Sequence, residues 1–154
     1  MHYLLVSACL LGETCRYDGK EKRYEAAEAL RSLPGLTLVP FCPECAGGLA
    51  VPRVPCERKD GRVIARDGTD KTGPYTRGAG LALETAKERH ILCALLKERS
   101  PSCGVHEIYD GTFTRTVIPG SGVTAELLKQ NGIRVYSETE IEALYEYIQN
   151  LSAL

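Results

Sequence analysis

Near its start the chain reads Tyr3-Leu4-Leu5-Val6-Ser7-Ala8-Cys9-Leu10-Leu11-Gly12, an apolar run that passes directly into a loop containing glycine. A short apolar run bounded by a turn signal is typical of a buried strand. We therefore predict a buried strand over residues 3–8. Cys9 follows at the end of that strand, so its thiol is expected at the strand's carboxyl end.

Strands and helices are predicted to alternate along the rest of the chain. Further apolar runs predict strands at residues 36–41, 62–65, 91–96 and 133–136. Helical spacing predicts helices at residues 24–33, 75–89, 124–130 and from the capping box at 137–140 onward. The run at 91–96 also fits an extension of the helix before it. The alternation predicts one domain over residues 1–154, an α/β fold with a mainly parallel sheet flanked by helices.

Four of the seven cysteines stand where predicted strands pass into loops. Cys9, Cys42 and Cys103 each follow an apolar run, and Cys15 lies in the loop after Cys9. Ligands of such sheets bind outside the carboxyl ends of the strands. These thiols are therefore expected at one crevice, where soft thiolates suit an iron–sulfur cluster or zinc.

The remaining cysteines have simpler interpretations. Cys93 lies inside an apolar run and is expected to be a small packing residue, and Cys56 an ordinary loop thiol. Cys42 and Cys45 have the C-x-x-C spacing of a redox pair or of half a zinc site. No helix is predicted to start after Cys42, which disfavours thioredoxin-type chemistry. A thiol–disulfide oxidoreductase using Cys42 and Cys45 and a structural zinc or iron protein remain as alternatives.

Polar side chains are expected beside the same thiols. Glu44 stands two residues after Cys42, and positions i and i+2 of an extended chain point to the same side. A carboxylate there can act as a metal ligand or as a general base. Ser100 and Ser102 stand just before Cys103, so at least one hydroxyl is expected to reach the crevice.

The composition excludes several classes of protein. A chain of 154 residues can bury a core without disulfides. Its formal net charge of −1 at pH 7 argues against a protein built to coat nucleic acid. No apolar run approaches the roughly 20 residues that span a bilayer, and the first residues lack the features of a secretory signal. We therefore expect a cytoplasmic protein with reduced cysteines and no membrane partner.

A series of motifs runs in order along nearly the whole chain. They are Ser7-Ala8-Cys9-Leu10-Leu11-Gly12, Cys15-Arg16-Tyr17-Asp18-Gly19, Cys42-Pro43-Glu44 with Gly47-Gly48-Leu49, Pro52-Arg53, Ser100-Pro101-Ser102-Cys103-Gly104, Ile108-Tyr109-Asp110-Gly111-Thr112-Phe113 and Gly122-Val123-Thr124. Together they resemble the thiouracil desulfidase family. Cys45 departs from the commoner pattern of that family, which has an apolar residue there, so the resemblance does not mark Cys45 as a ligand.

The resemblance implies an iron–sulfur-dependent desulfidase that converts 2- or 4-thiouracil to uracil and releases hydrogen sulfide. The implied cofactor is a [4Fe-4S] cluster with three cysteine ligands and one open iron, and the implied C–S cleavage is hydrolytic and non-redox. Larger relatives carry an extra domain and act on thiolated tRNA. For this chain the resemblance implies instead a small thiolated pyrimidine as substrate, and binding to nucleic acid is not expected.

The resemblance also implies roles for individual residues. Cys9, Cys15 and Cys103 rank first as cluster ligands, and Cys42 is able to displace one of them. Which three of the four thiols bind the cluster stays open at this point. In this scheme Glu44 takes a proton from the attacking water and Ser100 holds the substrate or that water, so these two residues are the predicted catalytic pair.

Overall fold

A four-stranded parallel sheet forms the centre of the computed structural model, which describes residues 2–19 and 23–152. The strands are His2–Ser7 (β1), Leu36–Phe41 (β2), Cys56–Lys59 (β3), Arg62–Ala65 (β4), Cys93–Leu96 (β5), Glu107–Tyr109 (β6), Val117–Pro119 (β7) and Arg134–Ser137 (β8). The α-helices are Glu25–Glu28 (α1), Pro43–Ala46 (α2), Thr72–Glu88 (α3), Val123–Gln130 (α4) and Ile141–Ser152 (α5). The predicted α/β class is thus confirmed.

The central sheet has the strand order β2-β1-β5-β8, with every neighbouring pair parallel. In β1, Leu4 lies beside Leu38 of β2 on one side and beside Cys93 of β5 on the other. The chain leaves β1 toward β2 and later returns to the opposite side of β1 to form β5. Such a reversal opens a crevice at the carboxyl ends of the strands, where ligands of open α/β sheets bind.

Helices cover both faces of this sheet. Side chains alternate along a strand, so neighbouring residues of β1 face opposite layers. Leu4 and Val6 join one buried cluster with side chains of α1 and α5. Leu5 joins a second buried cluster with side chains of α3 and α4. Burial of apolar surface on both faces stabilises the sheet and leaves its carboxyl edge to form a site.

The apolar run at residues 91–96 contributes a strand and does not extend the preceding helix. α3 ends at Glu88, and His90 takes the left-handed conformation with φ 52°, which stops the helix. β5 then begins at Cys93 and is buried at all four positions. The prediction of a strand was therefore right and the alternative of a longer helix was wrong.

The sequence interpretation missed three local structures. β3 pairs with β4, and β6 pairs with β7, each as an antiparallel pair outside the central sheet. The prediction that no helix starts after Cys42 was wrong, because α2 begins at the next residue. Pro43 occupies the start of that helix, where its fixed φ is already helical and its missing N–H costs nothing. None of the helices within residues 2–19 and 23–152 has the length and apolar character needed to cross a membrane.

Candidate active site

A cavity of about 430 Å³ lies at the carboxyl ends of β1, β2 and β5. Its wall contains all four thiols predicted to share a crevice, together with that of a fifth cysteine: Cys9, Cys15, Cys42, Cys103 and Cys56. Glu44, Ser100 and Ser102 lie in the same wall. Cys93 lies in the sheet and is fully buried, as expected for a packing residue.

Three of these thiols lie side by side. The thiol of Cys15 is within hydrogen-bonding reach of those of Cys9 and Cys42. The bond with Cys42 lowers the pKa of Cys15, but the bond with Cys9 and burial outweigh it and raise that pKa to about 12. The bond with Cys15 and burial raise the pKa of Cys42. The thiols of Cys15 and Cys42 are therefore protonated near neutral pH, and a metal that binds them must release their protons.

The fourth thiol, Cys103, belongs to a tightly held loop. Its side chain is buried, and burial raises the pKa of the Cys103 thiol to about 12. Ser100 Oγ accepts hydrogen bonds from the backbone N–H groups of Ser102, at 3.2 Å, and Cys103, at 3.1 Å. The amino end of α4 also holds this loop, because the N–H of Thr124 donates to the carbonyl of Ser102 at 2.8 Å. These contacts fix Cys103 relative to Ser100.

A buried carboxylate secures the same loop from the sheet side. Glu98 Oε1 accepts four backbone N–H donors, at 2.7 Å from Val105, 2.9 Å from His106, 3.1 Å from Glu107 and 3.4 Å from Arg99. Burial by itself raises the pKa of the Glu98 carboxyl, but these donors outweigh it and lower that pKa. Glu98 therefore ties both ends of the loop that carries Ser100 and Cys103 to the end of β5.

Glu44 is held by donors on both of its oxygens. Oε1 accepts from the Tyr75 hydroxyl at 2.8 Å and from Nη2 and Nε of Arg53 at 2.9 and 3.2 Å. Oε2 accepts from the hydroxyls of Ser102 at 3.0 Å and Ser100 at 3.4 Å. The carboxylate is thus anchored through one oxygen and directed through the other toward the serine-bearing loop.

Glu44 reaches the cavity for a different reason from the one predicted. The predicted placement of Glu44 depended on an extended chain after Cys42. In the structure Cys42 caps α2, its Sγ accepting the N–H of Cys45 at 3.5 Å, and Glu44 lies in the first turn of that helix. The helix begins within the cavity wall, so Cys42 and Glu44 both line it.

The arrangement disfavours a redox pair of Cys42 and Cys45. A helix does follow Cys42, which is the local structure of thioredoxin-type motifs. Yet burial raises the pKa of Cys45 to about 11, and the pKa of Cys42 is also raised. Thiol exchange needs a thiolate, which these environments oppose.

Within the part of the chain that the structure describes, no group of three or more His, Cys, Asp or Glu side chains has an arrangement that fits one ion. Thiolates are usual ligands of both zinc and iron–sulfur clusters, so the thiols of the wall are compatible with either.

Sequence reasoning missed several residues of this site. Arg53 and Tyr75 contact Glu44, but no role was predicted for either residue. The outer wall also carries positive and aromatic side chains from separate segments: Arg16, Tyr17, Arg66, Lys97, Arg99, Tyr109, Phe113 and Arg115. Only the fold brings these residues together. Pro52-Arg53 was available as a motif, and it is the one signal that could have pointed to Arg53.

The family of this chain is shown by its match to a protein-family model. The chain matches the family model for 2-thiouracil desulfurase over residues 4–140, which include all the predicted site residues. The chain belongs to the 2-thiouracil desulfurase family. It is also 44% identical over 149 residues to the uncharacterized protein YbbK of Bacillus subtilis (strain 168), covering 90% of this chain and 97% of that protein.

A solved structure resembles this member of the family over its whole length. It is that of the [4Fe-4S]-dependent thiouracil desulfidase TudS. The two share 43% sequence identity with a TM-score of 0.89, and the match covers 100% of both chains. The resemblance to the thiouracil desulfidase family noted in the motifs is thereby confirmed.

Proposed function

We propose that this protein is a [4Fe-4S]-dependent desulfidase that hydrolyses thiouracil to uracil and hydrogen sulfide without net electron transfer. Membership of the 2-thiouracil desulfurase family supports this function, as does the likeness to a [4Fe-4S]-dependent thiouracil desulfidase. The observation that carries the proposal is the meeting of four thiols and the carboxylate of Glu44 in one cavity.

The thiols of the wall are the groups that would hold the cluster. Cys9, Cys15 and Cys103 are the proposed ligands, with Cys42 as the alternative to one of them. Their chemistry fits the cluster, because thiolates are its usual ligands and these four come from the ends of three neighbouring strands. When bound, a cluster with one iron free of protein ligands supplies a Lewis acid for the soft thiocarbonyl sulfur.

Glu44 is the proposed general base. A water that attacks the thiocarbonyl carbon must lose a proton as the C–O bond forms, and a positioned carboxylate can accept it. The same proton is then available to the sulfur that leaves when the C–S bond breaks. Thiouracil and water thus give uracil and hydrogen sulfide with atoms balanced and no reductant consumed.

Ser100 is proposed to hold the attacking water or the substrate. Its Oγ already accepts the N–H groups of Ser102 and Cys103, so its lone pairs are engaged by the loop. The hydroxyl hydrogen is left to donate, either to Ser102 Oγ at 3.0 Å or, over a longer distance, to Glu44 Oε2 at 3.4 Å. A longer bond of this kind is readily exchanged for one to a ligand in the cavity.

The test of the proposal compares the wild type with Glu44→Gln in the anaerobically reconstituted protein. Glutamine keeps the size and polarity of the side chain but cannot take the proton. Release of uracil, measured by chromatography without any reductant, is expected to fall by the roughly 10²- to 10⁴-fold typical of a lost general base. Ser100→Ala is expected to lower turnover less severely.

The matched control is Glu84→Gln, a change at an exposed position of α3 outside the cavity wall. It is expected to leave turnover and visible absorbance at wild-type levels, and Glu44→Gln is expected to keep the same absorbance. Wild-type turnover by Glu44→Gln would remove Glu44 from the mechanism. A strict need for an electron donor would overturn the non-redox reaction.

A further inference from the structure

We propose that Arg53 is a positioning residue that joins the loop carrying Cys15 to the helix carrying Glu44. In this arrangement it fixes Oε1 of Glu44 and leaves Oε2 to contact water or substrate. The first half of this inference concerns the architecture of the site alone. The second half rests on the proposed function, because it says which oxygen of the proposed general base accepts the proton.

Arg53 contacts the Cys15 loop through both its main chain and its side chain. Its backbone N–H donates to the carbonyl of Tyr17 at 2.7 Å. Its Nη2 donates to the carbonyl of Cys15 at 2.9 Å. The Arg53 side chain is only 9% exposed, so water competes little for these bonds. The loop is therefore fastened at two carbonyls, on either side of Arg16.

The same guanidinium group binds Glu44. Nη2 and Nε both donate to Glu44 Oε1, and Nη1 donates to the carbonyl of Ala50 at 3.0 Å. The planar arrangement of donors in arginine allows one side chain to serve all of these acceptors at once. The side chain thus spans three segments of the cavity wall: the Cys15 loop, α2 and the segment that follows α2.

The two oxygens of Glu44 are left in different states. Oε1 receives Arg53 and the hydroxyl of Tyr75, a side chain buried to 2% exposure, so its lone pairs are occupied by fixed donors. Among the described residues, Oε2 receives the hydroxyls of Ser100 and Ser102, which also lie within hydrogen-bonding distance of each other at 3.0 Å and so are not both committed to Oε2. The geometry therefore makes Oε2 the oxygen that meets water or substrate.

Arg53→Lys tests the attachment of the loop in the metal-free protein. Lysine keeps the positive charge but has a single nitrogen, which cannot bridge Glu44 and the carbonyl of Cys15 with the same geometry. Hydrogen exchange of the segment 12–19, followed by mass spectrometry, is expected to be about tenfold faster than in the wild type. Arg77→Lys is the control, because Arg77 is exposed on α3 and donates to the carbonyl of Gly47, outside the Cys15 loop.

The enzymatic half of the inference is tested on the cluster-loaded protein. Arg53→Lys is expected to lower kcat by roughly 10- to 100-fold while KM changes little, as for a misplaced reacting group. Tyr75→Phe removes only one donor to Oε1. It is expected to lower kcat by a smaller factor and to leave hydrogen exchange of segment 12–19 unchanged, which separates the two contacts and supplies a second variant if Arg53→Lys does not fold.

The outcomes distinguish this inference from the proposed function. Wild-type exchange rates in segment 12–19 of a folded Arg53→Lys would overturn the attachment of the loop. Wild-type kcat in Tyr75→Phe would overturn the anchoring of Oε1. If the wild type itself releases no sulfide from thiouracil, the proposed function fails, whereas the exchange measurement still decides whether Arg53 holds the loop.

Discussion

Cys103 and Cys93 are both buried thiols, but they lie in different surroundings. Cys103 lies in the cavity wall and is held by hydrogen bonds of its own loop. Cys93 lies within β5, between Leu4 of β1 and Arg134 of β8. Burial raises the pKa of both thiols to about 12, so burial and acidity alone do not tell them apart. What distinguishes the two thiols is their position, because Cys103 lines the cavity and Cys93 does not.

This difference predicts opposite effects of the same substitution. Cys103→Ala is expected to lower the cluster content sharply, because it removes one of the three proposed ligands and leaves Cys42 as the alternative to it. Cys93→Ala is expected to keep the wild-type content of about four irons and four sulfides per chain, as a [4Fe-4S] cluster requires, at a packing cost of about 1 kcal/mol. Iron and sulfide analysis after anaerobic reconstitution measures both. Loss of the cluster in Cys93→Ala with retention in Cys103→Ala would contradict the placement of the ligands.

The carboxylate of Glu98 is expected to make the stability of the fold depend on pH. Because the pKa of folded Glu98 lies below its ordinary value of 4.5, the charged carboxylate stabilises the fold above that pH. This stability is lost as the pH falls through the lowered pKa. Glu98→Gln, which keeps an acceptor but removes the charge, is expected to cost about 2 kcal/mol at pH 7.

Thermal unfolding between pH 7 and pH 3 provides the measurement. The melting temperature of the wild type is expected to fall toward that of Glu98→Gln as the pH drops, so that the two curves converge in acid. The exposed change Glu84→Gln serves as the control and is expected to follow the wild type throughout. Curves for wild type and Glu98→Gln that stay equally far apart at every pH would contradict a stabilising charge at Glu98.

Single residues show where sequence reasoning succeeded and where it stopped. Cys9, Cys42 and Cys103 could be placed because each follows an apolar run of the sequence. The partners of Glu44 could not, because Arg53 and Tyr75 stand 9 and 31 residues away from it in the chain. Contacts across such separations depend on how helices and loops pack, and a single sequence carries no local signal for that packing.

Among the elements, α2 and α3 are held together by an unusually close backbone approach. A Cβ atom added to Gly78 of α3 would clash with the carbonyl of Pro43 in α2. A Cβ atom added to Gly47, just after α2, would clash with the carbonyl of Pro74. Both contacts involve rigid backbone, so side-chain movement cannot relieve them. Because Glu44 belongs to α2 and Tyr75 to α3, the same packing sets their hydrogen bond.

Two alanine substitutions in α3 are therefore expected to act in opposite directions. Gly78→Ala is expected to destabilise the fold by roughly 1–3 kcal/mol, as overpacking does, and to lower turnover by moving Glu44. Gly80→Ala has no neighbouring atom within 4 Å of the added Cβ and is expected to stabilise the helix by roughly 0.5–1 kcal/mol. Denaturant unfolding and turnover of both variants provide the measurement. Stabilisation by Gly78→Ala would show that the two helices do not depend on this contact.

The parallel strands were predictable, whereas the antiparallel pairs were largely not. β1, β2, β5 and β8 are apolar runs, and burial in the sheet requires that character. β3 has a polar sequence, and β6 and β7 have only three residues each. Asp60-Gly61 was an available signal for the pairing of β3 and β4, because this dipeptide favours a tight hairpin turn. Both residues have positive φ in the structure, 51° and 77°.

In the whole molecule, the cavity depends on segments that lie far apart in the chain. The ends of β1, β2 and β5 supply the thiols, α2 and α3 supply Glu44 and Tyr75, and the outer strand pairs complete the wall. Glu57 of β3, for example, accepts the N–H groups of Gly111 and Phe113 and so ties the two outer pairs together. The site therefore requires the complete fold.

The deciding measurement follows the oxygen of water into the product. Cluster-loaded protein is incubated anaerobically with thiouracil in oxygen-18-labelled water without any reductant, and uracil and sulfide are quantified by mass spectrometry and a colorimetric assay. A hydrolytic desulfidase is expected to form uracil that carries one labelled oxygen in place of sulfur, together with an equal amount of sulfide, whereas the metal-free protein forms neither. Fully loaded protein that forms no labelled uracil, or that forms it only when electrons are supplied, would contradict the proposed function.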